Sequence, residues 1–280
     1  MALRIITDST SDISQKEAKV KGITVVPLHN MFGEQEYLDG VTITVEEFYE
    51  KLAKVEELPT TSQPSPDEFL THFQECKEAG DSVIVLTISS KLSGTYQSAV
   101  IAKDMCDYED IYIIDSLTTT LGLTCLVEYT LELVKKGIAV AQIVAEIEEV
   151  KHKVRIFALV DTLKYLKKGG RLSATAAFAG TLLHIKPIVE VKNGVVEVAG
   201  KARGMNGAIK KVVDLVDEAG GIDQTKPSRI GYSGKPSVMD EFASYVKGYY
   251  QTIKFETTPI GSTIGVHAGP GACAIAFFIK

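Results

Sequence analysis

Leu3-Arg4-Ile5-Ile6-Thr7-Asp8-Ser9-Thr10-Ser11-Asp12 opens apolar and β-branched, then breaks into hydroxyls and acids. A short continuous apolar run of this kind suits a strand covered on both faces of a parallel sheet, here Leu3–Thr7. Ligands of such sheets bind beyond the carboxyl ends of the strands. The polar tail Thr7–Asp12 therefore stands where a site would be, although Asx-turn and helix-capping chemistry would use the same residues.

Working outward, Thr24–Leu28, Ser82–Ile88 and Asp110–Ile114 repeat the strand pattern. Helix signals lie between them. Thr44 with Glu47 forms a capping box ahead of Phe48, Leu52 and Val55, and Ser65 with Glu68 forms another, with Pro66 at the first helical position. The second of these helices carries Phe69, Phe73 and Cys76 on one stripe and stops at Gly80. Longer helical patterns cover 121–136 and 140–153. This alternation predicts an α/β fold. Beyond it, Arg155–Val160 reads as a strand, and Lys186–Val191 and Val195–Ala199 form a hairpin about Asn193-Gly194. A helix at about Asn206–Ala219, a strand at Arg229–Tyr232, a helix at about Val238–Tyr250 and strands near Thr252–Thr257 and Cys273–Ile279 complete the reading. Two α/β domains are expected. Residues 1–152 would hold a parallel Rossmann-like sheet, and 153–280 a mixed sheet with a hairpin and helices. The boundary falls near Val150–Arg155, where a charged helix gives way to an apolar strand.

Composition narrows the function. The 280 residues carry 30 Lys and Arg against 36 Asp and Glu, a net charge of −6, which disfavours a nucleic-acid binder. At 45% hydrophobic the chain is too apolar to be disordered. No run approaches the ~18–20 apolar residues of a membrane span, and Asp8 comes too early for a secretory segment, so a cytoplasmic protein is expected. Cys76, Cys106, Cys125 and Cys273 form no C-x-x-C pair, which suits reduced thiols and argues against zinc. Walker, G-x-G-x-x-G, G-x-S-x-G and H-E-x-x-H motifs are absent from the sequence.

Three more stretches carry polar groups beyond what packing needs. In Leu58–Pro66, prolines stiffen a loop bearing Thr60, Thr61 and Ser62, so hydroxyls could stand pre-placed for a ligand, or the segment could be only a linker and cap. In Thr87–Tyr96, a helix begins near Ser93, its natural cap. Free N–H groups and the dipole make an anion site there, and Gly94 admits close approach; an ordinary N-cap needs the same residues. Ile260–Gly271 holds Gly261, Gly265, Gly269 and Gly271 with Pro270, and reads as a rigid loop around His267. Of the histidines at 29, 72, 152, 184 and 267, His267 is the first functional candidate and His29 the second, with His72 and His152 on solvated helix faces. Lys164, Lys167, Lys168 and Arg171, then Lys201 and Arg203, are either two solvated faces or a docking surface for an acidic partner or phosphorylated ligand.

Taken in order, Thr7–Asp12, Thr60-Thr61-Ser62-Gln63-Pro64, Ser89–Tyr96, Gly169-Gly170-Arg171-Leu172-Ser173 and Gly265–Gly271 resemble the DegV family of bacterial fatty-acid-binding proteins end to end. That group includes the FakB subunits of fatty acid kinase. The resemblance implies a long-chain fatty acid, such as palmitate, held between or inside two domains, with no cofactor and no metal. It assigns the carboxylate to Thr61, Ser62, Ser93 and Gly94, with His267 close by. Arg171 and Arg203 match basic positions linked to a kinase partner and phosphate handling. The chain would be a carrier, presenting the acid to a separate ATP-dependent kinase for phospholipid synthesis. Val266 departs from the family, where Thr is expected before the histidine. A phosphoryl- or acyl-transfer enzyme with His267 as base and Ser93 as nucleophile is the alternative. A lipid-linked structural or regulatory protein is a third reading.

Overall fold

A computed structural model describes residues 2–173 and 185–280, so His184 lies outside the described residues. The strands of the first half are β1 (Leu3–Asp8), β2 (Thr24–Val26), β3 (His29–Phe32), β4 (Gln35–Leu38), β5 (Thr60–Ser62), β6 (Ser82–Thr87) and β7 (Ile111–Asp115). Its helices are α1 (Gln15–Lys21), α2 (Val45–Leu52), α3 (Pro66–Ala79), α4 (Thr95–Cys106), α5 (Thr120–Lys135) and α6 (Val140–Val150). A parallel sheet runs β2-β1-β6-β7. The apolar runs are buried on both faces, as expected: Val83 and Val85 pack against Phe69 and Phe73 of α3, while Ile84 and Leu86 pack toward α5. Both capping boxes form. Glu47 accepts from Thr44 N at 2.9 Å, Glu68 accepts from Ser65 N at 2.7 Å, and α3 ends at Gly80 with φ 66°.

A small antiparallel sheet in the first half was not foreseen. β3 and β4 form a short hairpin, and β5 pairs antiparallel with β3, with Asn30 opposite Thr61. The Thr60–Ser62 segment, expected as a loop, is thus an edge strand. Three residues carry too little periodicity to reveal a pairing made across 31 positions.

The rest of the chain supplies β8 (Val154–Leu159), α7 (Lys164–Lys168), β9 (Ile185–Lys192), β10 (Val195–Arg203), α8 (Gly204–Glu218), β11 (Arg229–Tyr232), α9 (Asp240–Tyr249), β12 (Glu256–Pro259), α10 (Ser262–Ala268) and β13 (Cys273–Phe278). Its mixed sheet runs β10-β9-β8-β13-β11-β12, and only the β11–β12 pair is parallel. The hairpin turns at Asn193 (φ 50°) and Gly194 (φ 84°), the double positive φ of a type I′ turn. β12 begins at Glu256, four residues later than the Thr252 start expected.

The mixed sheet divides two cores by strict alternation. Phe157, Leu159, Ile275 and Phe277 face α8 and α9. Ile156, Val189, Ala274 and Ala276 face the opposite way, onto α5. Helix α5 packs on both large sheets, so every residue from Thr120 to Val127 is buried. Arg229 of β11 donates to Glu128 of α5 through Nε at 2.9 Å, pinning the helix to the sheet.

Candidate functional site

The α5-facing side of the mixed sheet does not close completely. A cavity of about 370 Å³ lies between it and the carboxyl end of the parallel sheet, within the range of small-molecule sites. Its floor is Ile156, Ala158 and Val160, with Val189 and Val191 beside them and Ala272 and Ala274 next in line. The residues alternating with these on the filled face include Phe157 and Ile275. Alanine stands where the opposite side has large side chains, so the void follows from missing volume. Leu28, Ile88 and Leu92 come from loops after the parallel strands, and Ile260 and Ile264 close the far side.

One end of this apolar chamber is polar. Thr61, Ser62, Ser93, Gly94, Arg171 and His267 all line it, so six of the seven residues assigned by family resemblance converge there. Thr61 Oγ1 and His267 Nε2 share a hydrogen bond of 2.9 Å. Ser93 Oγ shares one of 2.9 Å with Thr95 Oγ1. Arg171 donates from Nε to Leu92 O at 3.2 Å and from Nη1 to Gly169 O at 2.6 Å, so its guanidinium is fixed against the chamber rim. Two glycines make this crowding possible. A Cβ at Gly94 would lie 2.1 Å from Gln63 Oε1, and one at Gly169 would lie 2.1 Å from His267 Nδ1.

His267 is neutral near pH 7. Burial, then the neighbouring Arg171 charge, pulls its pKa down to about 4. Its Nδ1 is buried with no hydrogen-bond partner among the described residues. The Ser–His contact required by a nucleophilic mechanism is not made, because Ser93 bonds Thr95 and His267 bonds Thr61.

Several expectations need correction. The glycine-rich stretch around His267 is not a loop: Ser262–Ala268 is helix α10, and His267 sits in its last turn. Ser93 is not the N-cap of α4; Gly94 is. Arg203, assigned to a partner contact, is not among the chamber lining. Leu172 bridges to Val196, and Arg203 lies seven residues farther along β10, a strand length of about 23 Å at ~3.3 Å per residue. The two basic groups are therefore separate. His29 bonds Glu36 and Glu68, away from the chamber. Val266, the family departure, is buried with Phe48 and Tyr49, where a methyl group packs well.

The Thr7–Asp12 motif is structural. Asp8 accepts from Thr10 N at 2.9 Å and from Ile88 N at 2.7 Å, joining the ends of β1 and β6. Asp12, in the left-handed region at φ 56°, accepts from Gly261 N at 2.9 Å and from the Thr120 hydroxyl. Burial pushes Asp8 up to about 6 and Asp12 up to about 8. Asp39, which sequence reasoning missed, accepts from Ser262 N at 3.1 Å and Ser262 Oγ at 2.5 Å and so anchors the start of α10. No isolated motif marks Asp39, since its partner is 223 positions away.

No group of three or more His, Cys, Asp or Glu able to hold a metal occurs among the described residues, and no described helix is long and apolar enough to cross a membrane. The four cysteines are buried and free.

Comparison with known proteins agrees with this architecture. A family model described as an uncharacterised protein of the DegV family matches residues 2–280. A DegV domain-containing protein of Caldanaerobacter subterraneus is 37% identical over 275 residues, covering 98% of each chain. A fatty-acid-binding DegV family protein from Thermus thermophilus superposes with a TM-score of 0.88 at 33% identity, covering 100% of both chains. A stearic-acid-binding protein from Eubacterium ventriosum gives 0.89 at 29%, covering 99% of this chain and 97% of its own.

Proposed function

This chain belongs to the DegV family, and on that premise we propose that it binds a long-chain fatty acid in the chamber and presents the carboxylate to a separate ATP-dependent fatty acid kinase. The observation that carries the reading is the joining of one apolar chamber to one polar end. The tail lies over Ala158, Ala272 and Ala274, and the head group meets Thr61, Ser62, Ser93 and Gly94. Thr61, Ser62, Ser93 and Gly94 come from 1–152 and Arg171 and His267 from 153–280, so the proposed domain division runs through the site.

The energetics favour the tail. At roughly 0.8 kcal/mol per buried methylene, about fourteen methylenes offer about 11 kcal/mol gross, and immobilisation removes several of those. The head group then sets orientation. A desolvated carboxylate must be hydrogen-bonded or it protonates. The hydroxyls of Thr61 and Ser93 and the amide at Gly94 meet that need, while neutral His267, bonded to Thr61 through Nε2, orients that hydroxyl without neutralising the nucleophilic oxygen. Arg171 at the rim supplies positive charge where a phosphoryl group would arrive. Arg203, well removed, would serve partner docking instead. ATP and metal would come with the kinase, giving an acyl-phosphate for phospholipid synthesis in the cytoplasm. On this reading the chain has no cofactor and no activity alone.

Lipid extraction and mass spectrometry of the protein purified from bacterial cytosol should detect a long-chain acid. Ser93→Ala should weaken binding while leaving the melting temperature nearly unchanged. Phosphorylation should require a partner kinase. A protein with no extractable lipid and no affinity for added palmitate would sink the proposal, and acyl-phosphate formed from ATP by this chain alone would favour the enzyme reading.

A further inference from the structure

The turn that carries Ser93 is organised around a residue outside the chamber. Ser89 is fully buried and does not line the cavity. Its N–H donates to Thr118 O at 2.9 Å. Its carbonyl accepts from Leu92 N at 2.9 Å and Ser93 N at 3.1 Å. Its Oγ accepts from Lys91 N at 3.2 Å and donates to Gly194 O at 2.9 Å. Every polar group of this one residue is committed: its carbonyl holds Leu92 and Ser93 whatever the side chain, while the hydroxyl alone ties Lys91 N to Gly194 O.

The contact to Gly194 reaches across the molecule. Gly194 is the tip of the β9–β10 hairpin, and a Cβ there would lie 2.5 Å from Ser89 Oγ. The approach and the φ of 84° both require glycine. Lys91 adds an exposed tether, donating from Nζ to Asn193 O at 2.9 Å. The same hairpin carries Val189, Val191 and Val196 into the chamber wall. One rigid two-stranded piece therefore touches the space for the tail along its length and grips the head-group turn at its tip.

We propose that Ser89 is a positioning residue that sets where Ser93 and Gly94 stand, and that the Asn193–Gly194 turn couples the tail-lining hairpin to the head-group end through it. This rests on the reading that Ser93 and Gly94 receive a carboxylate. Ser89 touches no ligand, so removing its hydroxyl should affect only the part of affinity that depends on head-group geometry. A purely structural role would weaken acid and ester alike.

The test measures dissociation constants of palmitate and methyl palmitate for the full chain and for Ser93→Ala, Ser89→Ala and Lys91→Met. The unaltered protein should prefer the acid, and Ser93→Ala should lose that preference. Ser89→Ala should lose at least fivefold of it, with methyl palmitate affinity within twofold of the unaltered chain. Lys91→Met, which removes only the exposed tether, should lose about twofold in the same direction, and it carries the test if Ser89→Ala does not fold. An acid preference that Ser93→Ala abolishes but Ser89→Ala and Lys91→Met leave intact overturns the positioning role while the fatty-acid reading stands. Equal loss of both ligands in the folded Ser89→Ala variant overturns it too. No acid preference in the unaltered protein removes the reading beneath it.

Discussion

The two ends of the chamber are built by opposite means. The apolar wall is made by leaving volume out, with Ala158, Ala272 and Ala274 on one face of a sheet whose other face is packed with Phe157, Ile275 and Phe277. The polar end is made by crowding, with Thr61 bonded to His267 and two glycines admitting side chains where a Cβ would collide. Space in a protein interior is cheap to specify, because an alanine on a regular strand needs no partner. Placed polar groups are costly to specify, because each must be held by contacts from elsewhere.

Filling the apolar wall should have the largest effect. Ala274→Leu projects into the chamber and displaces about three methylenes, worth about 2.4 kcal/mol at ~0.8 kcal/mol each, or nearly sixtyfold in affinity for a sixteen-carbon acid. Calorimetric titration with acids of decreasing length should show the deficit shrinking as the chain shortens, and a deficit independent of length would mean that Ala274 does not face the tail. At the polar end, Thr61→Val keeps the shape and removes the hydroxyl, and about a tenfold loss for palmitate is expected. Methyl palmitate should change less.

Gly169→Ala probes the crowding itself. The new methyl meets His267 Nδ1, and a cost of about 1–3 kcal/mol is expected in denaturant unfolding. An unchanged midpoint would show that the ring moves freely. The smallest effect concerns pH. Asp12 is held at about 8 against a usual 3.8, so the folded chain keeps a proton that the unfolded chain has released. Stability from this group is complete below about pH 4 and is lost as pH rises to about 8. Asp8, held at about 6, acts in the same sense over a narrower span. His267, lowered to about 4, acts oppositely, losing stability as pH falls from 6.5. Between about pH 6.5 and 8 the decline therefore belongs to Asp12 among these three, and Asp12→Asn should flatten the melting temperature across that window.

What the sequence disclosed follows the same division. Capping boxes at Thr44 and Ser65, the Asn193-Gly194 turn and the buried strands were legible because each depends on residues a few positions apart. Helix α10 was not. Its glycines suggested a loop, yet Gly265 is needed because a Cβ there would lie 2.6 Å from Phe48. The helix start is anchored by Asp39, from the other end of the chain. Local glycine content could not separate a turning residue from a packing one. Thr61, Ser93 and His267 were candidates from their hydroxyl- and glycine-rich stretches, and the order of family motifs gave them roles. The roles of Ser89 and Gly169 depend on contacts that no local pattern encodes.

The Thr61–His267 hydrogen bond joins residues 206 positions apart, and Asn30–Ser262 spans 232. A polar end assembled from such distant pieces rests on contacts of high sequence separation, whose loop-closure entropy slows their formation. The parallel sheet can form while the later strands are still being synthesised, but the chamber acquires its polar end only after residue 267 has emerged. The polar end is therefore a product of tertiary assembly alone, since β5 and α10 meet there from positions 206 residues apart.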